Sequence, residues 1–186
     1  GGAVSWTSFG KIFDSGTGTI TTTGGQTYNL TGANSGNVAT LLPGGYTGIR
    51  NLTDTGAGIF RFGAAGSVAG NISALGGTLD YAGRATAVNV NLAGSAGTST
   101  GIGGTWSGIT SVIGSSNTTD TITGTSQTYT LDNSTANKGS NGGVTWTAVE
   151  NLTDTGTGTF NMGTSGHVTG NINGGSGGTL DYSSYS

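Results

Sequence analysis

The chain has 186 residues, a net charge of −3 at pH 7 and a sequence pI near 4.6. Gly, Thr, Ser and Asn supply 40, 35, 20 and 15 residues, and only 7% are charged, against roughly a quarter in typical soluble domains. The lack of Cys excludes disulfides and Cys-ligated metal sites, and a single His excludes a multi-histidine centre. The acidic balance argues against nucleic acid as a partner, since that needs clustered Lys and Arg. No apolar run approaches the roughly 18 residues of a membrane span.

Short stretches of alternating apolar and polar residues follow one another along the chain, separated by Gly, Ser and Asn. A period of two is typical of a half-buried strand, and no apolar stripe has helical spacing, so we expect strands and no helix. The breaks contain Gly pairs at 24–25, 44–45, 76–77 and 142–143, which permit the positive φ of sharp corners. In the second half of the chain the predicted strands fall at residues 111–113, 120–123, 128–131, 144–147, 158–162, 167–172 and 179–182.

A long sequence unit occurs twice. Residues 51–56 recur as residues 151–156, an offset of 100, and Trp6 matches Trp106. The second copy has no counterpart of residues 86–92. We therefore expect a first unit at residues 1–100 and an incomplete second unit at residues 101–186, forming one continuous solenoid within a longer array. A plain two-domain tandem duplication is the alternative.

The pattern predicts an all-β fold, a right-handed parallel β-helix (β-solenoid) built from the two repeats of about 100 residues. Stacked coils bury a narrow core with one or two residues per strand, which suits the 32% hydrophobic content. The alternative is a pair of tandem β-sandwiches, but two facing sheets usually need a richer core of large apolar residues.

Several motifs resemble repeats of very large bacterial exoproteins. They are the segments at 86–92, 112–114, 120–124, 151–153, 170–175 and 178–183. These are similar to filamentous-haemagglutinin-like and degenerate repeats-in-toxin-like adhesins, and the resemblance covers nearly the whole chain. It implies secretion to the cell surface, a β-solenoid shaft and a structural or adhesive role.

The chain departs from the repeats-in-toxin pattern where calcium would bind. Those repeats hold the ion in Gly-Gly-x-Gly-x-Asp turns. Residues 174–178 read Gly-Gly-Ser-Gly-Gly, with no Asp at the required place. We therefore expect no metal site and no cofactor, and we expect chelation to leave the fold intact.

Four aspartates recur in phase between the units, Asp54 with Asp154 and Asp80 with Asp181. Paired carboxylates at suitable spacing serve glycosidases, but recurrence in both copies favours a structural role, in which each side chain accepts hydrogen bonds from turn amides. His167 is matched by Ser67, which argues against a catalytic base. We predict no catalytic residues and no enzyme activity.

Three tryptophans, Trp6, Trp106 and Trp146, are candidates for stacking against sugar rings, with several tyrosines beside them. The alternative is that these rings close the solenoid core.

These observations predict a structural segment of an extracellular, secreted bacterial filament, stalk or adhesin, a rigid rod that contacts like segments end to end. The alternative function is a carbohydrate- or matrix-binding adhesin module, with surface glycans as partners. A polysaccharide lyase or hydrolase ranks third, because five scattered Lys and Arg residues do not form a catalytic groove.

Overall fold

The computed structural model describes residues 9–131 and 134–186, and within these ranges all regular secondary structure is β-strand. The prediction of an all-β chain is therefore confirmed for the described residues. Trp6 lies outside them. The strands in chain order are β1 (Ile12–Phe13), β2 (Thr19–Thr22), β3 (Thr27–Gly32), β4 (Ser35–Val38), β5 (Leu42–Thr47), β6 (Asn51–Asp54), β7 (Ile59–Phe62), β8 (Ile72–Asp80), β9 (Asn89–Asn91), β10 (Trp106–Ile113), β11 (Thr121–Gly124), β12 (Thr128–Leu131), β13 (Gly139–Ser140), β14 (Thr145–Thr147), β15 (Asn151–Asp154), β16 (Thr159–Met162), β17 (Ile172–Asn173) and β18 (Thr179–Asp181).

Strands of successive coils pair in parallel, so that one core residue lies directly over its counterpart in the next coil. This is the stacking expected of a parallel β-helix, and the predicted fold class is confirmed. The stacked core positions form four ladders: Tyr28, Phe60, Leu79, Val112 and Trp146; Ile20, Leu52, Ile72 and Trp106; Val90, Ile122, Leu152 and Ile172; and Tyr129, Phe160 and Leu180.

The period-two pattern decides which side chains face inward. In β6 and β15 the sequence Asn-Leu-Thr-Asp places Leu52 and Leu152 in the core while the neighbouring Asn and Thr remain partly exposed. Aromatic rings stack between coils, and Tyr129 lies over Phe160 with centroids 4.6 Å apart. Fully burying each large apolar side chain contributes about 1.5–3 kcal/mol, so a thin core still supplies a substantial stabilising term.

Two antiparallel meanders interrupt the parallel winding, and the sequence analysis did not predict them. In the first unit β3, β4 and β5 pair antiparallel in succession, and in the second unit β12, β13 and β14 do the same. Along the sheet the order is β1, β5, β4, β3, β7. Strand β5, which follows β3 and β4 in the chain, therefore lies beside β1 of the first coil, whereas β3 lies beside β7.

A glycine faces a large aromatic residue at the same place in both meanders. Gly36 pairs with Tyr46 in the first unit, and Gly139 pairs with Trp146 in the second. A Cβ atom on Gly36 would lie 2.0 Å from the Asn29 carbonyl oxygen, and one on Gly139 would lie 2.7 Å from the Trp146 ring. Each site therefore requires glycine for lack of space.

The sheet continues across the predicted boundary between the units. Strand β8 of the first unit pairs in parallel with β10 of the second, and Leu79 lies opposite Val112. Both side chains are fully buried. The two sequence units are thus joined by the same kind of ladder that joins coils within a unit.

Candidate functional site

The carboxylate of Asp54 organises a corner between two coils. It accepts hydrogen bonds from the backbone N–H groups of Gly25 at 3.1 Å, Gln26 at 2.7 Å and Gly56 at 2.7 Å. The Thr22 hydroxyl donates to it at 2.8 Å. Because Gly56 belongs to one coil and Gly25 to the coil before it, one buried side chain fastens the turns of two successive coils.

Asp154 occupies the same place in the second unit. It accepts hydrogen bonds from the N–H groups of Ser126 at 2.8 Å, Gln127 at 2.9 Å and Gly156 at 2.8 Å. The fourth donor differs, because here the Tyr129 hydroxyl lies 3.1 Å from the carboxylate. The turn-binding interactions that the sequence suggested for these two aspartates are present at both positions.

Both carboxylates are held in their charged forms. Burial alone would raise the pKa of Asp54, but the hydrogen bonds from Gln26, Thr22, Gly56 and Gly25 outweigh it and hold the pKa below its ordinary value. Burial likewise acts to raise the pKa of Asp154, and its four donors overcome that effect and lower the pKa. A general acid working near neutral pH needs a raised carboxyl pKa instead.

The second recurring pair, Asp80 and Asp181, differs between the units. Asp80 accepts a hydrogen bond from the Ala82 N–H at 3.0 Å and forms an ion pair with Arg61 at 2.9 Å. Asp181 accepts one from the Ser183 N–H at 2.8 Å, which is the main cause of its lowered pKa. Each caps the turn that follows it, but the ion pair is not repeated because Asn161 stands where Arg61 stands in the first unit.

A further buried carboxylate pair escaped the sequence analysis. Asp120 is fully buried and accepts hydrogen bonds from the N–H groups of Val88 and Ser115, and its own N–H donates to Glu150. Glu150 also accepts from the Asn137 side chain at 3.1 Å. The mismatch between Glu150 and Arg50 hid this site, because a repeat comparison detects only what both units share.

The two described tryptophans are core residues. Trp146 is fully buried and packs edge-on against Tyr129, with centroids 6.2 Å apart. Trp106 is 7% exposed, and its indole N–H donates to the Ser99 hydroxyl at 3.0 Å. Neither presents a ring face to solvent. Trp6, the third candidate for sugar stacking, lies outside the described residues.

The last described strands leave a core face exposed that the first unit keeps covered. Leu79 and Tyr81 are fully buried, because β10 lies over β8 and the Tyr81 hydroxyl donates to the Thr100 carbonyl. Their equivalents Leu180 and Tyr182 are 50% and 53% exposed.

Other surfaces offer little chemistry. A shallow groove of ≈ 490 Å³ runs over stacked corners at residues 33–34, 67–69 and 97–103, and no charged side chain lines it. In the described ranges no three His, Asp or Glu side chains lie close enough together to hold a metal ion. The same ranges contain no helix that is long and apolar enough to cross a membrane.

Comparison of the chain with models of protein families, with curated proteins and with solved structures gives no match.

Proposed function

We propose that the chain is a structural segment of an extracellular bacterial surface filament, stalk or adhesin, in which it acts as a rigid β-rich rod that continues end to end. One observation carries the proposal: parallel strand pairing continues across the boundary between the units, where the core residues Leu79 and Val112 lie opposite each other. A structure built by repeating one ladder suits a spacer whose length matters more than any local site.

Stiffness in such a rod comes mainly from backbone pairing. Strands of successive coils lie about 4.8 Å apart and hydrogen-bond along the long axis. Side chains on the outer surface add bonds in the same direction, and the Thr123 hydroxyl donates to Asn89 of the preceding coil at 2.7 Å. Low charge fits this role, because like charges stacked at the strand spacing would repel each other.

The surface location is proposed on two grounds. The motifs resemble those of secreted adhesins, and the chain is rich in uncharged Thr, Ser and Asn, with only 7% of its residues charged. The carbohydrate-binding alternative depended on Trp6, Trp106 and Trp146, and it gains nothing from Trp106 and Trp146, whose rings are buried.

Small-angle scattering on the purified chain tests the rod. We expect a constant cross-section and a long axis that doubles when two copies are fused in one polypeptide. Single-molecule stretching of the fusion should show unfolding in a few large steps. A compact particle whose three dimensions all grow on fusion would contradict the proposal.

A further inference from the structure

The turn between β13 and β14 is organised by the side chain of Asn141. Its Oδ1 accepts hydrogen bonds from the backbone N–H groups of Gly143 at 3.2 Å and Val144 at 2.8 Å. Its Nδ2 donates to the Gln127 side chain at 3.0 Å. The amide group of Asn141 is therefore folded back over the chain that follows it, on the side of Gly142.

The backbone nitrogen of Gly142 is free to react. Within residues 9–131 and 134–186, the Gly142 N–H donates to no protein acceptor, and the residue is exposed to solvent. Its φ of 85° is a conformation that glycine adopts readily. Because glycine has no side chain, nothing on its own residue shields this nitrogen from the Asn141 amide group.

Two other asparagines show what distinguishes this turn. The side chains of Asn91 and Asn117 also accept a hydrogen bond from the N–H group two residues further on. Asn91 is followed by Leu92, whose N–H already donates to the Thr123 carbonyl at 2.8 Å. Asn117 is followed by Thr118, whose branched side chain crowds its own nitrogen. Asn141 combines the folded-back amide with a following nitrogen that is neither bonded within the described residues nor shielded.

We infer that Asn141 and Gly142 form a self-modification site, at which the folded chain cyclises to a succinimide that water then opens. The Gly142 nitrogen forms a bond to the side-chain carbon Cγ of Asn141, and the bond from Cγ to Nδ2 breaks. Nδ2 leaves as ammonia with the proton that the Gly142 nitrogen gives up. One water molecule opens the ring at either of its two carbonyl carbons, which yields aspartate or isoaspartate at residue 141. The inference does not rest on the proposed function.

The two N–H groups that bond to Oδ1 favour the first step. Attack at Cγ turns the amide oxygen into an oxyanion, and donors already aimed at that oxygen stabilise the charge as it develops. Asn141 has two such donors, whereas Asn173 of the other Asn-Gly pair accepts one backbone N–H bond, at 3.0 Å. Gly142 and Gly143 are exposed, so water reaches the ring for the second step.

The two products differ in how much of the turn they keep. Aspartate at residue 141 retains an acceptor for both N–H groups, but it loses the donor to Gln127 and adds a negative charge. Isoaspartate routes the main chain through the side-chain carbon and so adds a methylene group to the backbone between β13 and β14. The pairing of these strands, in which Gly139 lies opposite Trp146, would then lose its register. The modification would thus loosen the second meander and leave the first unchanged, since its β4–β5 turn reads Ala-Thr-Leu.

Peptide mapping by mass spectrometry, after storage of the purified chain in mildly alkaline buffer, follows the reaction at residue 141. We expect the folded chain to form aspartate and isoaspartate at least as quickly as the chain unfolded in urea, because unfolding removes the two donors. Hydroxylamine, which cleaves a succinimide, should cut the folded chain between residues 141 and 142. A chain that stays unmodified and uncut when folded, but reacts in urea, would overturn the inference.

A matched pair of variants at residue 143 isolates the contribution of one hydrogen bond. Gly143→Pro removes an N–H donor, whereas Gly143→Ala keeps it and places a Cβ atom 3.9 Å from Asn141 Oδ1, an ordinary contact. We expect the proline variant to react about tenfold more slowly than the alanine variant, a smaller loss than an enzyme shows without one oxyanion donor. Circular dichroism checks that both are folded, and if the proline variant is not, the comparison with urea decides. Equal rates in two folded variants would contradict the assistance by the turn.

Discussion

The corner around Asp54 in the first unit and the corner around Asp154 in the second bind their carboxylates with three matching N–H groups and a different fourth donor. In the first, the Thr22 hydroxyl lies between Tyr28 and the carboxylate. In the second, Gly124 occupies the ladder position of Thr22, and the Tyr129 hydroxyl itself lies 3.1 Å from Asp154. The fold thus requires a fully bonded carboxylate at this corner, and two side-chain combinations meet that requirement.

A second contrast separates the two ends of one ladder. Tyr81 is fully buried beneath the following coil, while its equivalent Tyr182 is 53% exposed. The side chains are the same and the local strands are alike, so the difference comes only from what lies above them. Local sequence determines the strand, whereas the next coil determines the burial.

Removing the corner carboxylate should have the largest effect. Asp154→Ala leaves three backbone N–H groups without their acceptor, and the Tyr129 hydroxyl keeps only the Thr153 carbonyl as an acceptor. We expect the free energy of unfolding to fall by about 2–4 kcal/mol. Asp54→Ala should behave alike. Urea denaturation measures both. Asp181→Ala is the matched control and should leave stability almost unchanged. If all three variants were equally stable, the corners would not fasten the coils.

The next largest loss of stability is expected from substitutions at the two meander glycines, Gly36 and Gly139. Gly36→Ala places a Cβ atom 2.0 Å from the Asn29 carbonyl oxygen, a backbone atom that cannot move aside alone. We expect a loss of about 1–3 kcal/mol from overpacking. Gly139→Ala should cost less, because its Cβ atom would lie 2.7 Å from the Trp146 ring and 2.8 Å from the Thr130 carbonyl oxygen, a less severe overlap than at Gly36. Gly10→Ala meets nothing within 4 Å and is the control. Thermal unfolding ranks the three, and the reverse order would contradict the packing argument.

Acid should weaken both corners together. The pKa values of Asp54 and Asp154 are lower in the folded chain than the ordinary value near 3.9 in an unfolded one. Their stabilising contribution is therefore fully present above about pH 4 and is lost as the pH falls through the folded-state pKa values. The loss should be smaller than for Asp54→Ala, because a protonated carboxyl group still accepts hydrogen bonds. Unfolding measured between pH 2 and pH 7 should show this slope, and the double variant Asp54→Asn, Asp154→Asn should flatten it.

The smallest expected effect concerns the fourth hydrogen-bond donor to the corner carboxylate, which is the Thr22 hydroxyl in the first unit and the Tyr129 hydroxyl in the second. Gly124→Thr introduces the residue of the first unit, but its Cβ atom would lie 2.4 Å from the Tyr129 hydroxyl. We expect a cost of about 1 kcal/mol, and a smaller cost in a Tyr129→Phe background, where that hydroxyl is gone. If a double-mutant cycle showed no coupling between positions 124 and 129, the exchange of Thr22 for Gly124 would be independent of the tyrosine hydroxyl.

Much of the fold could be predicted from the sequence because its signal is local and repeated. Alternation of apolar and polar residues at 128–131 and 158–162 identified β12 and β16, and the recurring Asp54 and Asp154 pointed to turns. The meanders could not be predicted in this way. Strand β13 has only two residues, and β4 reads Ser-Gly-Asn-Val with two small residues before its one large apolar side chain, so neither shows a clear period.

The candidate site was harder to predict for a related reason. Whether Trp146 is a surface ring or a core ring depends on Gly139 opposite it and on the coils around it, which the sequence does not place in space. Asp120 and Glu150 come together only when the coils stack and β11 lies beside β15. The residues at the equivalent positions of the first unit are of different types, such as Arg50 in place of Glu150. Repeat comparison identifies shared positions and misses those at which one unit has changed.

The order of strands in the meanders determines how the molecule would come apart under tension. A pull on the N-terminal side would release β1 and β2 and would then reach β3, which β4 holds on one side and β7 on the other. Once β1 is released, β5 keeps only β4 as a neighbour among the described strands. Because β5 follows β3 in the chain, the pull reaches it only after β3 has been released. From the other end β14 is in the same position, clamped between β10 and β13. At β3 and at β14, unfolding under tension therefore requires the strand pairings on both sides to rupture at the same time. Each unit thus contains one point of higher mechanical resistance.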